Sequence, residues 1–144
     1  MSKDKVKILE QKIVFTGYHR LEVCHFQPKS LHGEKWMAAM SREIFRSGPV
    51  ASALLYCPES DEVLLNEQFR GGAFLAGAEN PWLIECCAGG IDAGETPEQA
   101  VRREALEETG AEILALEPIG TVFTSPGCLD EEFFLFCGRI AKPQ

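Results

Sequence analysis

The sequence predicts an α+β protein: a mixed β-sheet covered by helix, preceded by a small antiparallel N-terminal sheet. Three observations carry this expectation. Short β-rich runs separated by turn residues recur along the chain. One helix, over 97–109, is marked at both ends and has strand-like runs on either side of it. A break at Ser47-Gly48-Pro49 divides residues 1–48, read as a three-stranded sheet region, from 49–144, read as the main domain.

Residues 7–28 carry two β-rich runs around the turn-prone Thr16-Gly17, and 28–35 form a polar connection. Residues 36–45 (WMAAMSREIF) read as the third strand, with a short helix as the alternative. Three strands bury little on their own, so this sheet is expected to lean on the rest of the chain or on a second copy, which makes homodimerisation an expectation. After the break, 50–57 and 62–70 read as a hairpin turning at Pro58–Asp61. Its nearly continuous apolar character predicts central strands covered on both faces. Residues 71–81 read as an irregular loop, 82–87 as a strand, 112–123 and 131–140 as two further strands.

The stretch between 89 and 111, GGIDAGETPEQAVRREALEETGA, organises the rest. Gly89, Gly90 and Gly94 predict a flexible loop. Thr96 then suits an N-cap, Pro97 the first helical position and Gln99 the reciprocal position of a capping box. Gly110 sits where a left-handed glycine would stop the helix. At about 100° per residue, Ala100, Glu104, Glu107 and Glu108 share one arc, with Val101 and Ala105 beside it. A surface helix ordinarily places its acids opposite its apolar stripe, and carboxylates at i, i+3 and i+4 repel. A positive partner is therefore expected. Mg²⁺, a hard cation bound through carboxylate oxygens, is the natural one, with Mn²⁺ as a substitute. Arg103, four residues before Glu107, can hold that carboxylate.

Composition narrows the function. With 144 residues, 45% hydrophobic and 25% charged, the chain has one domain's worth of ordinary globular sequence. No apolar run approaches the ~20 residues of a membrane span, and the N-terminal stretch lacks the apolar core of a secretory signal. A formal net charge of −8 argues against a nucleic-acid partner, which needs a positive surface. It still permits a small phosphorylated ligand bridged by metal. The six cysteines show no metal-binding spacing and read as reduced, mostly buried small hydrophobes in a cytoplasmic protein. His19, His25 and His32 show no mutual ligand spacing and read as strand or surface residues.

The spacing of Gly89, Glu95 and the run Arg103-Glu104-Ala105-Leu106-Glu107-Glu108-Thr109-Gly110-Ala111 resembles the Nudix box in every fixed position, with alanine at two aliphatic positions. The plainer reading is a charged amphipathic helix after a glycine loop. The resemblance implies the Nudix fold, an α/β/α sandwich with the box as loop–helix–loop. Flanking residues, Asn80-Pro81-Trp82-Leu83-Ile84-Glu85, Glu67-Gln68-Phe69-Arg70, Arg42-Glu43-Ile44-Phe45 and Ser125-Pro126-Gly127 with Glu131, resemble the ADP-ribose pyrophosphatase subfamily.

That resemblance implies Mg²⁺-dependent hydrolysis of ADP-ribose, or a related ADP-sugar, to AMP and ribose 5-phosphate. Glu104, Glu107 and Glu108, with the backbone carbonyl of Ala88, would hold the metal. Gly89, Glu95, Arg103 and Gly110 would be structural in the box. Arg70 becomes a candidate for the substrate phosphates through its fork of donors; its plainer reading is a surface arginine at a strand end. Glu85 would face the site or be an exposed strand residue. Arg42, Glu43, Gly127 and Glu131 are further substrate candidates, the first two resembling residues near the nucleoside and able to act across a dimer interface. The subfamily also implies a segment past 131–140 carrying another glutamate as base or metal ligand. The chain ends at Gln144, so the expectation is a shortened form or a substitute such as Glu131 or Glu132. Two alternatives stand beside the main reading: a Nudix hydrolase of another nucleoside-diphosphate derivative, and a non-catalytic ADP-ribose-binding module.

Overall fold

The computed structural model describes residues 3–142. They fall into two compact units, one running through Gly48 and taking in Phe123–Glu131, the other comprising Pro49–Val122 with the chain from Glu132 onward.

In the first unit, strands β1 (Val6–Thr16), β2 (Arg20–Pro28) and β3 (Met40–Arg46) form an antiparallel sheet in that order. The expected three strands are present, but the third begins at Met40. Trp36 makes only an isolated bridge to Lys29, and the lysine ammonium groups of Lys7 and Lys29 lie over its ring. Glu22 is buried on β2, where the Gln11 amide donates to it at 2.7 Å and Arg46 lies 3.8 Å away. Arg46 also reaches Asp130 at 2.9 Å, and the other oxygen of Asp130 accepts the Ser47 and Gly48 backbone N–H groups. The loop after the box is thereby anchored to the end of β3. Strand β1 leaves Ile8, Leu9 and Phe15 more than half exposed, at 60%, 53% and 61%.

The second unit is built on β4 (Val50–Cys57), which pairs in parallel with β10 (Glu132–Ile140); β9 (Ile113–Phe123) lies beyond β10. The opposite edge of β4 is shared. Its far half, Leu55–Cys57, pairs antiparallel with β5 (Glu62–Leu64), and its near half, Val50–Ala53, pairs antiparallel with β8 (Cys87–Gly90). This sharing corrects the expected single strand over 62–70. Continuing the Leu64–Leu55 register would set Asn66 opposite Ala53, a place taken by Cys87. The chain instead leaves the sheet at Leu65 and resumes as β6 (Asn66–Phe69), paired with β7 (Trp82–Glu85). The predicted strand 82–87 splits for the same reason, β7 serving β6 and β8 serving β4. Nor is the hairpin covered on both faces: β4 is largely buried, whereas Val63 on β5 is 48% exposed.

Two loop expectations also change. Residues 71–81 contain a short helix, α1 (Gly71–Leu75), which buries none of its residues. Gly89 and Gly90 belong to β8 opposite Ala51 and Val50, and only Gly94 of the three predicted loop glycines takes a left-handed φ, at 88°.

Helix α2 (Pro97–Thr109) forms where predicted. Thr96 Oγ1 accepts the Gln99 N–H, Gln99 Oε1 accepts the Thr96 N–H at 2.8 Å, and Pro97 opens the helix. Gly110 closes it at φ 70°, donating its N–H to the Leu106 carbonyl. Ala100, Val101 and Ala105 are fully buried in one core with Ala51, Ala53, Leu55, Cys87 and Phe136. Small residues on both sides let helix and sheet approach closely. Cys24, Cys57 and Cys87 are buried, Cys86 and Cys137 partly buried and Cys128 exposed; all six thiols are free. Among the described residues no helix is long and apolar enough to cross a membrane.

Gly110→Ala forces a β-carbon into the left-handed region, so a loss of about 1 kcal/mol is expected. It would be read as a lower denaturant midpoint at unchanged slope.

Candidate active site

The guanidinium of Arg103 is the hub of the helix face. Its Nε and Nη2 donate to the two oxygens of Glu95 at 3.0 and 2.9 Å, a bidentate pair. Nη2 also donates to the Gly90 carbonyl at 3.0 Å, and Nη1 donates to Glu104 and, at 3.4 Å, to Glu107. An arginine has five N–H donors, and five acceptors meet them here. Glu95 further accepts the Asp92 N–H at 3.1 Å, closing the turn into the helix. Hydrogen bonding to Arg103 first, and the Asp92 N–H second, hold the Glu95 carboxyl below the usual carboxylate range. The same contacts make Arg103 hold its proton more tightly than a free arginine.

Glu104 lies against β8. A β-carbon on Gly89 would overlap its carboxyl group, so a side chain there would displace the Glu104 carboxylate from this position. Glu108 is held from elsewhere. Its Oε2 accepts the Asn66 side-chain amide at 2.6 Å and the Ala88 backbone N–H at 3.3 Å, and its Oε1 accepts the Gln68 side-chain amide at 2.8 Å. Asn66 and Gln68 alternate on β6 and so share a face. Glu107, with its side chain 60% exposed, is the least constrained of the three box acids. A cleft of about 340 Å³ opens beside Glu108, lined by Asn66, Gln68 and Thr109 among others. A larger one, about 400 Å³, runs past Leu114 and Ile140 and touches none of these three acids.

Arg70 and Glu85 form an ion pair: Nε donates to both carboxylate oxygens, at 2.9 and 3.2 Å, and Nη2 to one of them. The pairing, more than the nearby charge of Glu108, makes Arg70 hold its proton more tightly. The second unit therefore links Gly89, Gly90, Glu95, Arg103, Glu104 and Glu107 in one set of contacts. Ala88, Glu108, Asn66 and Gln68 form another, and Arg70 with Glu85 a third. The remaining candidates belong to the first unit. The Arg42 guanidinium donates to the Ser41 carbonyl at 2.7 Å, Glu43 lies opposite Val23 in the sheet, Gly127 faces open space, and Glu131 accepts the Thr124 hydroxyl at 2.8 Å.

Sequence reasoning did not find that Asn66 and Gln68 hold Glu108, nor that Arg70 pairs with Glu85. One signal was present: Asn66, Gln68 and Arg70 fall at alternate positions, a polar stripe along one strand face.

The donor set fits a hard divalent cation in kind, being carboxylate oxygens on one helix face beside an exposed strand edge. Among the described residues no three acidic, histidine or cysteine side chains converge as a ready cage. Under this face Cys87 donates its thiol to the Ala53 carbonyl, and burial pushes that thiol up to about 11.

A carboxyl held below its ordinary value adds stability above its unfolded pKa of about 4.3 and loses it as pH falls through the folded value. Glu95→Gln should accordingly melt lower than the parent at pH 7, and the gap should close below about pH 4 in paired thermal melts.

The sequence pattern of the NUDIX domain matches residues 46–142. ADP-ribose pyrophosphatase of Escherichia coli (strain K12) is 34% identical over 138 residues, covering 96% of this chain and 65% of that protein. The chain thus spans less than two thirds of the length of that relative. GDP-mannose pyrophosphatase of Cronobacter sakazakii is 36% identical, covering 91% of this chain and 67% of that protein. A solved structure described as an ADP compounds hydrolase superposes with a TM-score of 0.72 at 18% identity, covering all of this chain and 72% of that one, a likeness of fold. With the box acids on α2, Gly89 against the Glu104 carboxyl and a domain pattern matched over 97 of 144 residues (46 to 142 inclusive), the chain belongs to the Nudix family.

Proposed function

We propose that this chain carries the centre of a Mg²⁺-dependent hydrolase that cleaves the diphosphate of ADP-ribose to AMP and ribose 5-phosphate, with Mn²⁺ able to stand in. The observation that carries the reading is the acid face of α2, where Glu104 and Glu108 are held by separate sets of donors beside β8. The name of the Escherichia coli relative supports ADP-ribose as the substrate.

Glu104, Glu107 and Glu108 would hold the metal, with the carbonyl of Ala88. The Ala88 N–H leaves β8 toward Glu108, and in an extended strand the carbonyl of the same residue faces the same edge, which supports its assignment. Bound there, the ion would neutralise diphosphate charge and make a water nucleophilic near neutral pH. The water oxygen would add to phosphorus and lose its proton to solvent, one phosphorus–oxygen bond of the anhydride would break, and the leaving phosphate would depart with that bond's electron pair. Arg70, aligned by Glu85, would present its planar fork to the substrate phosphates. Arg103 and Glu95 fix the helix entrance, and Gly89 leaves space for Glu104. Arg42, Glu43, Gly127 and Glu131 are proposed as further substrate contacts. Six free thiols agree with a reducing, cytoplasmic setting.

A second reading, hydrolysis of another nucleoside-diphosphate sugar, is favoured by the 36% identity to a GDP-mannose pyrophosphatase. We further propose a homodimer through the first unit, supported by the exposed apolar side chains of β1.

AMP release from ADP-ribose with Mg²⁺ should fall roughly 10²-fold or more in Glu108→Gln, a loss in the range seen when one transition-state charge contact is removed. Faster release from GDP-mannose would favour the second reading. Metal-dependent ADP-ribose binding without product would mark a binding module. Light scattering should return twice the chain mass; a compact monomer would end the dimer proposal.

A further inference from the structure

The two amides on β6 invite a closer reading, because both spend their donors on one carboxylate. We propose that Asn66 and Gln68 are positioning residues that clamp Glu108, fixing the plane of its carboxylate and leaving a single lone pair, on Oε1, turned to a divalent cation. This rests on the reading of Glu108 as a cation ligand.

An ionised carboxylate offers about four in-plane lone-pair sites, two on each oxygen. Oε2 accepts both the Asn66 amide and the Ala88 N–H, so its sites are filled. Oε1 accepts the Gln68 amide alone, so one site stays open. Because the carboxylate only accepts, each amide must present its NH₂ end, which fixes their orientation. The choice of residue type matters. A lysine or arginine would add positive charge and compete with the cation, whereas a neutral amide gives direction without charge. The clamp is itself supported. Asn66 and Gln68 sit in the β6–β7 ladder opposite Glu85 and Leu83, and their shared face follows from strand alternation. Glu108 is otherwise an exposed side chain near the end of a helix, free to sample several rotamers. Without the amides the cation would have to order it on binding.

The test titrates the full chain with Mn²⁺ in the absence of substrate, following the free-ion electron paramagnetic resonance signal. Asn66→Leu and Gln68→Met keep approximate side-chain volume but donate nothing. Each should weaken Mn²⁺ binding by about 10-fold, the lower end of what loss of a ligand's supporting partner costs. Glu108→Gln should weaken it further. Unchanged or tighter Mn²⁺ binding in both amide variants, with Glu108→Gln impaired, would overturn the clamp and leave the ligand assignment standing. Undisturbed binding in Glu108→Gln would overturn both. If one amide variant fails to fold by circular dichroism, the other decides. A merely structural role would lower the melting temperature and leave Mn²⁺ affinity where it was.

Discussion

The contact on which the site depends is the Arg103 guanidinium, whose donors are shared among Glu95, Glu104, Glu107 and the Gly90 carbonyl. A run of carboxylates on one helix face is electrostatically unfavourable, and the chain supplies one cation in their midst to offset it. Its geometry does more than balance charge. Glu95 precedes the helix, Gly90 ends β8, and Glu104 and Glu107 lie on α2, so one planar group ties the strand, the turn and the helix together. A lysine in its place would offer three donors from a point and could not span these directions. The loop, strand and helix of the box are thus joined through a single side chain.

Glu108 stands outside this arrangement. It is beyond the reach of Arg103 and takes its partners from β6 and from the Ala88 N–H. The division gives the acid face two characters. Glu104 accepts directly from a cationic side chain, whereas the hydrogen bonds to Glu108 come from neutral amides. Asn66 and Gln68 orient Glu108 without adding charge of their own.

What the sequence discloses follows the range of the interactions. Helix α2 was legible to the residue, because its capping box, its proline and its left-handed glycine act within a few positions of each other. The pairing of Arg103 with Glu107 was legible as a neighbour one turn away, and the part of Glu95 came with the box resemblance. The antiparallel first sheet was legible from its β-rich runs and the turns between them. The break at Leu65 was not, since it arises when β8, more than twenty residues later, claims the edge of β4 that the strand would otherwise follow. The amides that hold Glu108 are 42 and 40 residues from it in sequence, and no local pattern states that distance. Arg70 and Glu85 were each singled out, yet their pairing needed the β6–β7 register.

The break at Leu65 and the distant partners of Glu108 have one origin, the placement of β8. By occupying half of the β4 edge, β8 displaces the chain after Leu64 into a separate two-stranded ladder. That displacement carries Asn66 and Gln68 away from the sheet and toward the C-terminal turn of α2. The same strand, at Gly89, leaves to the Glu104 carboxyl the place where a β-carbon would stand. Small residues at Ala51, Ala53, Ala100 and Ala105 complete the approach, which longer aliphatic side chains would widen. A strand too short to fill its edge and a helix packed on alanines thus set the distances at which the carboxylates meet their partners. The chemistry of the box depends on that spacing as much as on the acids themselves.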